Sequence, residues 1–390
     1  MAVALTAAMG ITMVGGSANA DPKQLTAAIG VGSDTTQDVM NALAGNTNGN
    51  NYVPVQSSVA SGSRQLVSFD AIPPAGTTGA CITVKPGAPT FDRPNGSTSG
   101  RKALSRAIDG TKYGNTAVGF ACGGLTDTSG LLQFARSSAG PAAGDVGTAL
   151  TYVPFGRDGL SFAYYRASGG AAVSSLTRAD LTSLFTTGPQ VIGGVNIIPC
   201  GIQLGSGTFN FWQTVTTATA AQEAAATATC NALVTNLLGG RAEENDGTAL
   251  KTRGDLVPAG SQVVIGFSAG SFIAKSNNVA AGAPPVTVGI GTITDNGAGV
   301  VLGSPVVGTA PSLTPNAAFF GDATFGRNIY NVFPTAVISS AFGNADLKSL
   351  FVGPTSSVCS ASTTIAAFGF LPIATCGSTT TLGSLIAGQF

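Results

Sequence analysis

The 390-residue sequence contains no histidine. Without an imidazole the Ser-His-Asp arrangement of hydrolases cannot be assembled. A zinc site of the usual kind loses one of its two main ligands, and no Cys-x-x-Cys is present to compensate. Charge is scarce as well: Asp, Glu, Lys and Arg make up 9% of the chain, with 18 basic and 18 acidic side chains. No cluster of Lys and Arg is available to displace counterions, which argues against a nucleic-acid partner, and an interface driven by bulk charge is equally disfavoured. Beyond Ala20 no segment approaches the roughly 18–20 unbroken apolar residues of a membrane-spanning helix.

What is present is a 44% apolar composition with 54 glycines, the profile of a globular chain rich in turns. The length suffices for one large or two medium domains with cores that need no staples. The first twenty residues stand apart: Met1 to Gly16 is apolar and small, and Ser17-Ala18-Asn19-Ala20 ends in an Ala-x-Ala pattern followed by Asp21-Pro22. This reads as a signal peptide, residues 1–20, with Ala20 the last residue removed. Its basic leading region is missing, and a buried N-terminal helix is the plainer alternative. No cysteine follows the cleavage site, so the product is expected to be secreted or extracytoplasmic without a lipid anchor. Six cysteines at short spacings suit an oxidising compartment. Pairing of sequence neighbours is expected, Cys81 with Cys122, Cys200 with Cys230 and Cys359 with Cys376, although other connectivities are formally open.

Apolar runs rich in Val, Ile, Tyr and Phe recur between glycine-bounded turns and alternate with helical patterns, the mark of an α/β protein. Strands are expected at 27–32, 150–155, 160–165, 195–202, 262–267 and 286–293. Thr177-Arg178-Ala179-Asp180 has the form of a capping box before Leu181, Leu184 and Phe185, and Asn344 opens a similar helix through Leu347, Leu350 and Phe351. The 208–236 stretch reads as the longest helix and carries the sole tryptophan, Trp212, which is expected to pack in a core. The Gly/Pro-rich 282–285 and 297–315 segments read as loops or a hairpin decoration.

A junction of extended segment, short Gly/Ser/Thr loop and amphipathic helix recurs. The first is Gly30 to Gln37, where Thr35 is expected to cap the helix with Asp38 three residues on. The second is Arg93 to Arg101, followed by Ala103, Leu104, Ala107 and Ile108 at helical spacing. The third is Leu204-Gly205-Ser206-Gly207-Thr208, opening the helix of Phe211, Trp212 and Val215. Each is expected to present unpaired backbone N–H groups at the positive end of a helix dipole, and glycine lets an oxygen approach them. Such ends converging would bind an oxyanion without a large net charge, although the same residues also serve ordinary caps and turns. Phe134 to Gly140 adds a cation, Arg136, beside the hydroxyls of Ser137 and Ser138; guanidinium meets phosphate or carboxylate in fork geometry. Arg157 is expected to pair with Asp158 or Asp180. The acidic run Glu243-Glu244-Asn245-Asp246 could line a cleft, but reads first as a solvated loop.

Gly266-Phe267-Ser268-Ala269-Gly270 matches the Gly-x-Ser-x-Gly of a nucleophile elbow. With no histidine to act as base, Ser268 is read as a strand-to-helix turn and the protein as no enzyme.

These blocks, in this order, resemble the phosphate-binding proteins of bacterial ABC transporters, within the type 2 periplasmic-binding-protein superfamily, and most closely an actinobacterial secreted branch. The likeness runs through residues 30–37, 93–101, 134–140, 152–158, 205–208, 243–247 and 327–333. It implies an α/β fold of two lobes joined by two crossing strands: lobe I at residues 21–165 plus 260–390, lobe II at 166–259, with crossings at 164–167 and 257–261. It implies a ligand set of Ser33, Asp34 and Thr35, of Ser97 and Ser99, and of Ser206, Gly207 and Thr208, to which Arg136, Ser137 and Ser138 are added as neighbours. The family's ligand-binding arginine corresponds to Ile202 and its proton-accepting aspartate to Ser138, so discrimination between hydrogen phosphate and sulfate is expected to be poor. The implied function is an extracytoplasmic receptor for inorganic phosphate or a similar oxyanion, a monomer serving an ABC transporter permease, with no cofactor. The rival reading is a secreted cell-envelope interaction or scaffold protein that keeps the fold without transport.

Overall fold

The computed structural model describes residues 28–44, 66–72, 81–114, 122, 124–339 and 343–388. The expected signal peptide lies outside the described residues. The strands β1 (Ala28–Gly32), β2 (Leu66–Ser68), β3 (Phe134–Ser137), β4 (Leu150–Tyr165), β5 (Gln190–Ile192), β6 (Val195–Pro199), β7 (Gln262–Ser268), β8 (Gly289–Ile290), β9 (Gly326–Pro334) and β10 (Thr381–Gly383) form one mixed sheet. Its order is β2-β1-β3-β9-β4-β7-β6-β5, with β8 and β10 also paired to β4. Helices that bear on the site are α1 (Gln37–Leu43), α2 (Ser97–Asp109), α3 (Arg178–Thr187), α4 (Gly207–Thr216), α5 (Ala220–Ala226), α6 (Ala228–Asn231), α7 (Gly247–Gly254) and α8 (Ala269–Ser276).

The α/β architecture expected from the sequence is the one observed, and β4 organises it. Its first part, Leu150 to Gly159, pairs antiparallel with β9, and its second part, Leu160 to Tyr165, pairs antiparallel with β7. One long strand therefore belongs to two half-sheets, where the sequence suggested separate strands at 150–155 and 160–165. The intervening Gly156-Arg157-Asp158-Gly159 stays extended because its backbone is laddered to β9 and the Asp158 carboxylate is fully bonded inside the protein.

Each half has its own core. In the first half, alternate residues of the strands serve opposite faces: Ala28, Phe134, Val153, Phe155 and Phe333 face one cluster, and Ile29, Val31, Ala135, Tyr152 and Val332 face another. Burial on both faces explains why these strands read as continuous apolar runs rather than as clean alternation. The second half gathers β6, β7 and the later part of β4 around Trp212, which stands edge-on to Phe185 at 5.4 Å. Gly266 packs on that indole: a β-carbon there would lie 2.6 Å from Trp212 Cδ2.

The Thr177 capping box forms as read, with Asp180 N–H donating to the Thr177 hydroxyl and the Asp180 carboxylate accepting from Thr177 N–H. Asn344 likewise caps the 345–351 helix. The long 208–236 helix is not one helix. It breaks at Thr217, which adopts φ +54°, and restarts from a second capping box of Thr219 and Gln222, so that α4, α5 and α6 replace it. Hydroxyl side chains that compete for backbone N–H groups stop a helix as readily as glycine does. The 286–293 run is also divided. Gly289–Ile290 joins β4, while Thr292–Asp295 pairs with Ser175–Thr177 apart from the main sheet. The Gly/Pro-rich segment forms a small hairpin, Val306–Val307 against Thr314–Pro315.

All six cysteines pair as neighbours in sequence: Cys81–Cys122, Cys200–Cys230 and Cys359–Cys376, with Cα separations of 5.6, 5.0 and 5.8 Å. The second bond ties the end of β6 to α6, beside the third Gly/Ser loop. Its sequence separation of 30 residues gives a chain-entropy stabilisation of about 3 to 4 kcal/mol. Replacing Cys200 and Cys230 together by serine is expected to lower the unfolding free energy by roughly that amount, read as a shift of the urea midpoint.

Candidate functional site

The loops singled out in the sequence converge on the seam between the two half-sheets. The first, second and fourth belong to one half and the third to the other. Thr35 Oγ1 stands 3.2 Å from Thr208 Oγ1 across the seam, and Thr98 N–H donates to Gly205 C=O at 2.8 Å. Ser97 Oγ lies 3.2 Å from Ser138 Oγ and accepts from Ser138 N–H at 3.0 Å. Gly207 sits against both hydroxyls. A β-carbon on it would come within 2.3 Å of Ser97 Oγ and 2.5 Å of Ser138 Oγ, so only glycine fits this approach.

The local chemistry of the junctions differs in detail from expectation. Thr35 is not the cap of α1: Thr36 holds that position without a side-chain cap bond, because the Thr35 hydroxyl is used across the seam by Thr208 and Asn245. The helix is only 7 residues long, so the first loop contributes side chains rather than a dipole. The 13-residue α2 starts from Gly96 at φ +100° with no side-chain cap, whereas α4 is capped by Ser206, whose Oγ accepts from Phe209 N–H at 3.0 Å. Amides expected to be free at the second and third junctions are taken by protein groups, Thr98 N–H and Thr208 N–H among them, and Ser138 N–H in the fourth segment is taken as well.

Arg136 is fully buried, and its guanidinium turns back on its own half. It donates to the backbone oxygens of Ser33 at 3.2 Å and Gly32 at 2.7 Å and to the Ser68 hydroxyl at 2.8 Å. Ser137 closes a local turn with Ala139, and Ser99 donates to Asn95 C=O at 2.9 Å inside the first turn of α2. These three shape the loops. Ser33 Oγ and Asp34 Oδ2 are buried and have no hydrogen-bond partner.

The sequence reading gave Arg327 no role here and named Asp158 only as a partner for Arg157. Asp158 is completely buried and accepts four hydrogen bonds. Arg327 Nε and Nη2 reach its Oδ2 at 3.0 and 2.8 Å, while Ser268 Oγ and Gly270 N–H reach its Oδ1 at 2.9 and 3.0 Å. Arg327 Nη2 also donates to Thr208 Oγ1 at 3.0 Å, its guanidinium carbon stands 5.6 Å from the centre of the Phe211 ring, and its Nη1 is buried without a partner. Arg157, expected to pair with Asp158 or Asp180, bonds Asn328 Oδ1 and Asp322 C=O instead; Arg327 from the neighbouring strand has taken the aspartate. An arginine inside the apolar β9 pattern was the available signal, since a buried charge needs a partner.

The acidic run at 243–246 is not a solvated loop. Glu244 and Asn245 are buried, and the segment lies along the seam. Asn95 Nδ2 donates to both carboxylate oxygens of Glu243 at 3.0 and 3.1 Å. Asn245 Nδ2 donates to Thr35 Oγ1 at 3.2 Å, while its Oδ1 accepts from Ser268 N–H at 2.9 Å. Glu244 Oε2 accepts from the Ser206 hydroxyl and from Thr208 N–H, and its Oε1 is buried without a partner. Burial pushes the Glu243 carboxyl up to about 7 and that of Asp38 up to about 6. Burial and then the charge of Glu244 push Asp34 well above the ordinary carboxylate range. Among the described residues no group of three or more Cys, Asp and Glu is arranged to hold a metal ion.

Ser268, the centre of the elbow-like motif, donates to Asp158 and accepts from Ser271 N–H at 3.1 Å as the cap of α8. Its two glycines have packing roles: Gly266 meets Trp212, and a β-carbon on Gly270 would lie 2.5 Å from the Phe370 ring.

No family model matches the chain, and no curated protein matches it by sequence. Among solved structures it is similar to a phosphate-binding protein from Stenotrophomonas maltophilia, at 14% identity and a TM-score of 0.45, over 90% of this chain and 92% of that one. It is also similar to an ABC-type phosphate transport receptor from Vibrio cholerae, at 14% identity and a TM-score of 0.43, over 88% of this chain and 99% of that one. No helix among the described residues is long and apolar enough to cross a membrane.

Asp158→Ala should destabilise the fold by about 3 to 5 kcal/mol, because it strands the buried Arg327 guanidinium; chemical denaturation measures this. Glu243 and Asp38 hold protons more tightly folded than unfolded, so their contribution to stability is complete on the acid side and is lost as pH rises to about 7. Urea midpoints should therefore fall between about pH 5 and pH 8, and the fall should be shallower in Glu243→Gln.

Proposed function

We propose that the protein is an extracytoplasmic solute-binding protein that holds a small oxyanion at the seam between its two lobes, with inorganic phosphate the first ligand to test. The observation that carries this reading is the meeting, at one buried place, of Thr35, Ser97, Ser138, Gly207 and Thr208 with an arginine, Arg327, whose Nη1 has no partner. Hydroxyls, the starts of α2 and α4 and one guanidinium are the donors that a tetrahedral anion requires. In this reading Ser33, Thr35, Ser97, Ser138, Gly207 and Thr208 line the ligand, Arg327 supplies the cation, Ser206 caps α4, and Arg136, Ser99 and Ser137 hold the loops in shape. Asp34 stands beside the ligand as the group that adjusts its protonation. The lobes are taken as residues 21–165 plus 260–390 and residues 166–259, opening about the β4 region, with β7 and the end of β4 reaching across these bounds to pack in the second core. Phosphate itself enters through the sequence resemblance. So do the permease partner and the monomeric state, while the signal peptide that would place the protein outside the cytoplasm is read from residues 1–20. Three disulfides support that compartment.

One observation favours the scaffold reading. Two donors of the third loop, the Ser206 hydroxyl and Thr208 N–H, are already taken by Glu244, and the seam itself is bonded across by the protein's own groups at Thr35–Thr208, Thr98–Gly205 and Asn95–Glu243.

Isothermal titration of the purified protein with phosphate and sulfate separates the two readings. Saturable binding is expected, with Gly207→Val weakening it at least tenfold through its collision with Ser97 and Ser138, and Arg327→Met weakening it by a similar factor. Flat titrations with both anions would remove the receptor reading.

A further inference from the structure

The N-terminus of α4 already carries an anion. Glu244 Oε2 accepts from the Ser206 hydroxyl and from Thr208 N–H at 3.2 Å, the donors that an oxyanion seated on the third loop would use. The carboxylate is completely buried and comes from the other side of the turn that leads into α7. The segment is held as well, by Glu244 N–H donating to Gln203 Oε1 and by the Asn245 side chain, which donates to Thr35 Oγ1 and accepts from Ser268 N–H.

We propose that Glu244 is a built-in ligand of this site, an internal carboxylate that fills the oxyanion position on α4 and must leave it before an external oxyanion can occupy the same donors. A carboxylate at a helix N-terminus is stabilised by the dipole and by the unsatisfied amides there, as any anion would be. Two further features mark the place as a binding site and not only a helix cap. Glu244 Oε1 remains buried without a partner, and Arg327 Nη1, in a residue only 4% exposed, is unpartnered beside Thr208. The Glu244 carboxylate thus leaves one Arg327 donor unused, and one of its own oxygens is unused as well. Asp34 and Glu243 crowd the same seam with acid groups, with Lys275 donating to Asn245 C=O at 2.7 Å as the nearby ammonium. An entering anion is repelled while Glu244 stays and is accommodated once it swings out. The inference deepens the oxyanion reading, yet its test does not depend on the wild-type protein binding phosphate.

The test is chemical rescue. In Glu244→Ala the vacated donors should take a small external anion, so that formate, acetate or phosphate at tens of millimolar raises the melting temperature of the variant by roughly 2–4 °C more than that of the wild type. No anion-dependent gain over the wild type would overturn the proposal. Glu244→Gln, which keeps the shape and an acceptor oxygen but removes the charge, covers the case in which the alanine variant does not fold. Phosphate should bind it roughly tenfold more tightly than the wild type, as expected when a competing internal charge is removed. Equal or weaker phosphate binding in Glu244→Gln would overturn the inference. Rescue or tightened binding in the variants alongside a flat wild-type titration would sustain it while removing the receptor reading of the natural protein.

Discussion

The arrangement of the seam depends on one buried carboxylate. Asp158 lies next to the point where β4 changes partners, and its two oxygens bind groups from both sides of that change. Arg327 comes from β9 in the first half-sheet, and Ser268 and Gly270 come from the start of α8, directly after β7 of the second. A buried charge of this kind costs least when its oxygens are paired and hydrogen-bonded. Meeting that requirement fixes where Arg327 points, and Arg327 in turn reaches Thr208 on the third loop. The position of one guanidinium relative to the hydroxyls across the seam is thus set by the solvation of Asp158.

A second constraint is steric. The third loop can lie against Ser97 and Ser138 because Gly207 has no side chain there. With the loops this close, protein groups meet their neighbours directly: hydroxyl to hydroxyl at Thr35 and Thr208, carboxylate to helix N-terminus at Glu244. The hydroxyl and backbone contacts hold the two halves together through the protein's own groups. Under the proposed displacement the donors of α4 pass from the Glu244 carboxylate to an external anion, an exchange separate from the hydroxyl contacts across the seam.

The elbow-like motif shows how local pattern and tertiary role separate. Gly266, Ser268 and Gly270 have the spacing of a nucleophile turn, yet each answers to packing or capping: an indole against Gly266, a phenyl ring against Gly270, and a carboxylate and an amide on the Ser268 hydroxyl. The absence of histidine, visible in the composition, had already removed the base that such a serine would need.

The alternation of strands and helices, the capping box at Thr177, the Asn344 cap, the cysteine pairs and the loops bearing Thr35, Ser97, Ser138 and Gly207 were all legible in the chain, because each rests on interactions between residues close in sequence or on a period that burial imposes. Which polar atoms face one another was not. Arg136 and Arg327 are equivalent as residues in apolar strands, and only the folded arrangement gives the first to backbone oxygens of its own half and leaves the second with a donor at the seam. Glu243 and Glu244 look like a solvated acidic turn until Asn95 of the opposite half bonds the first and the start of α4 in their own half takes the second. Hydrogen bonds across more than a hundred residues are chosen by desolvation in the assembled core, and that selection leaves no local trace in the sequence.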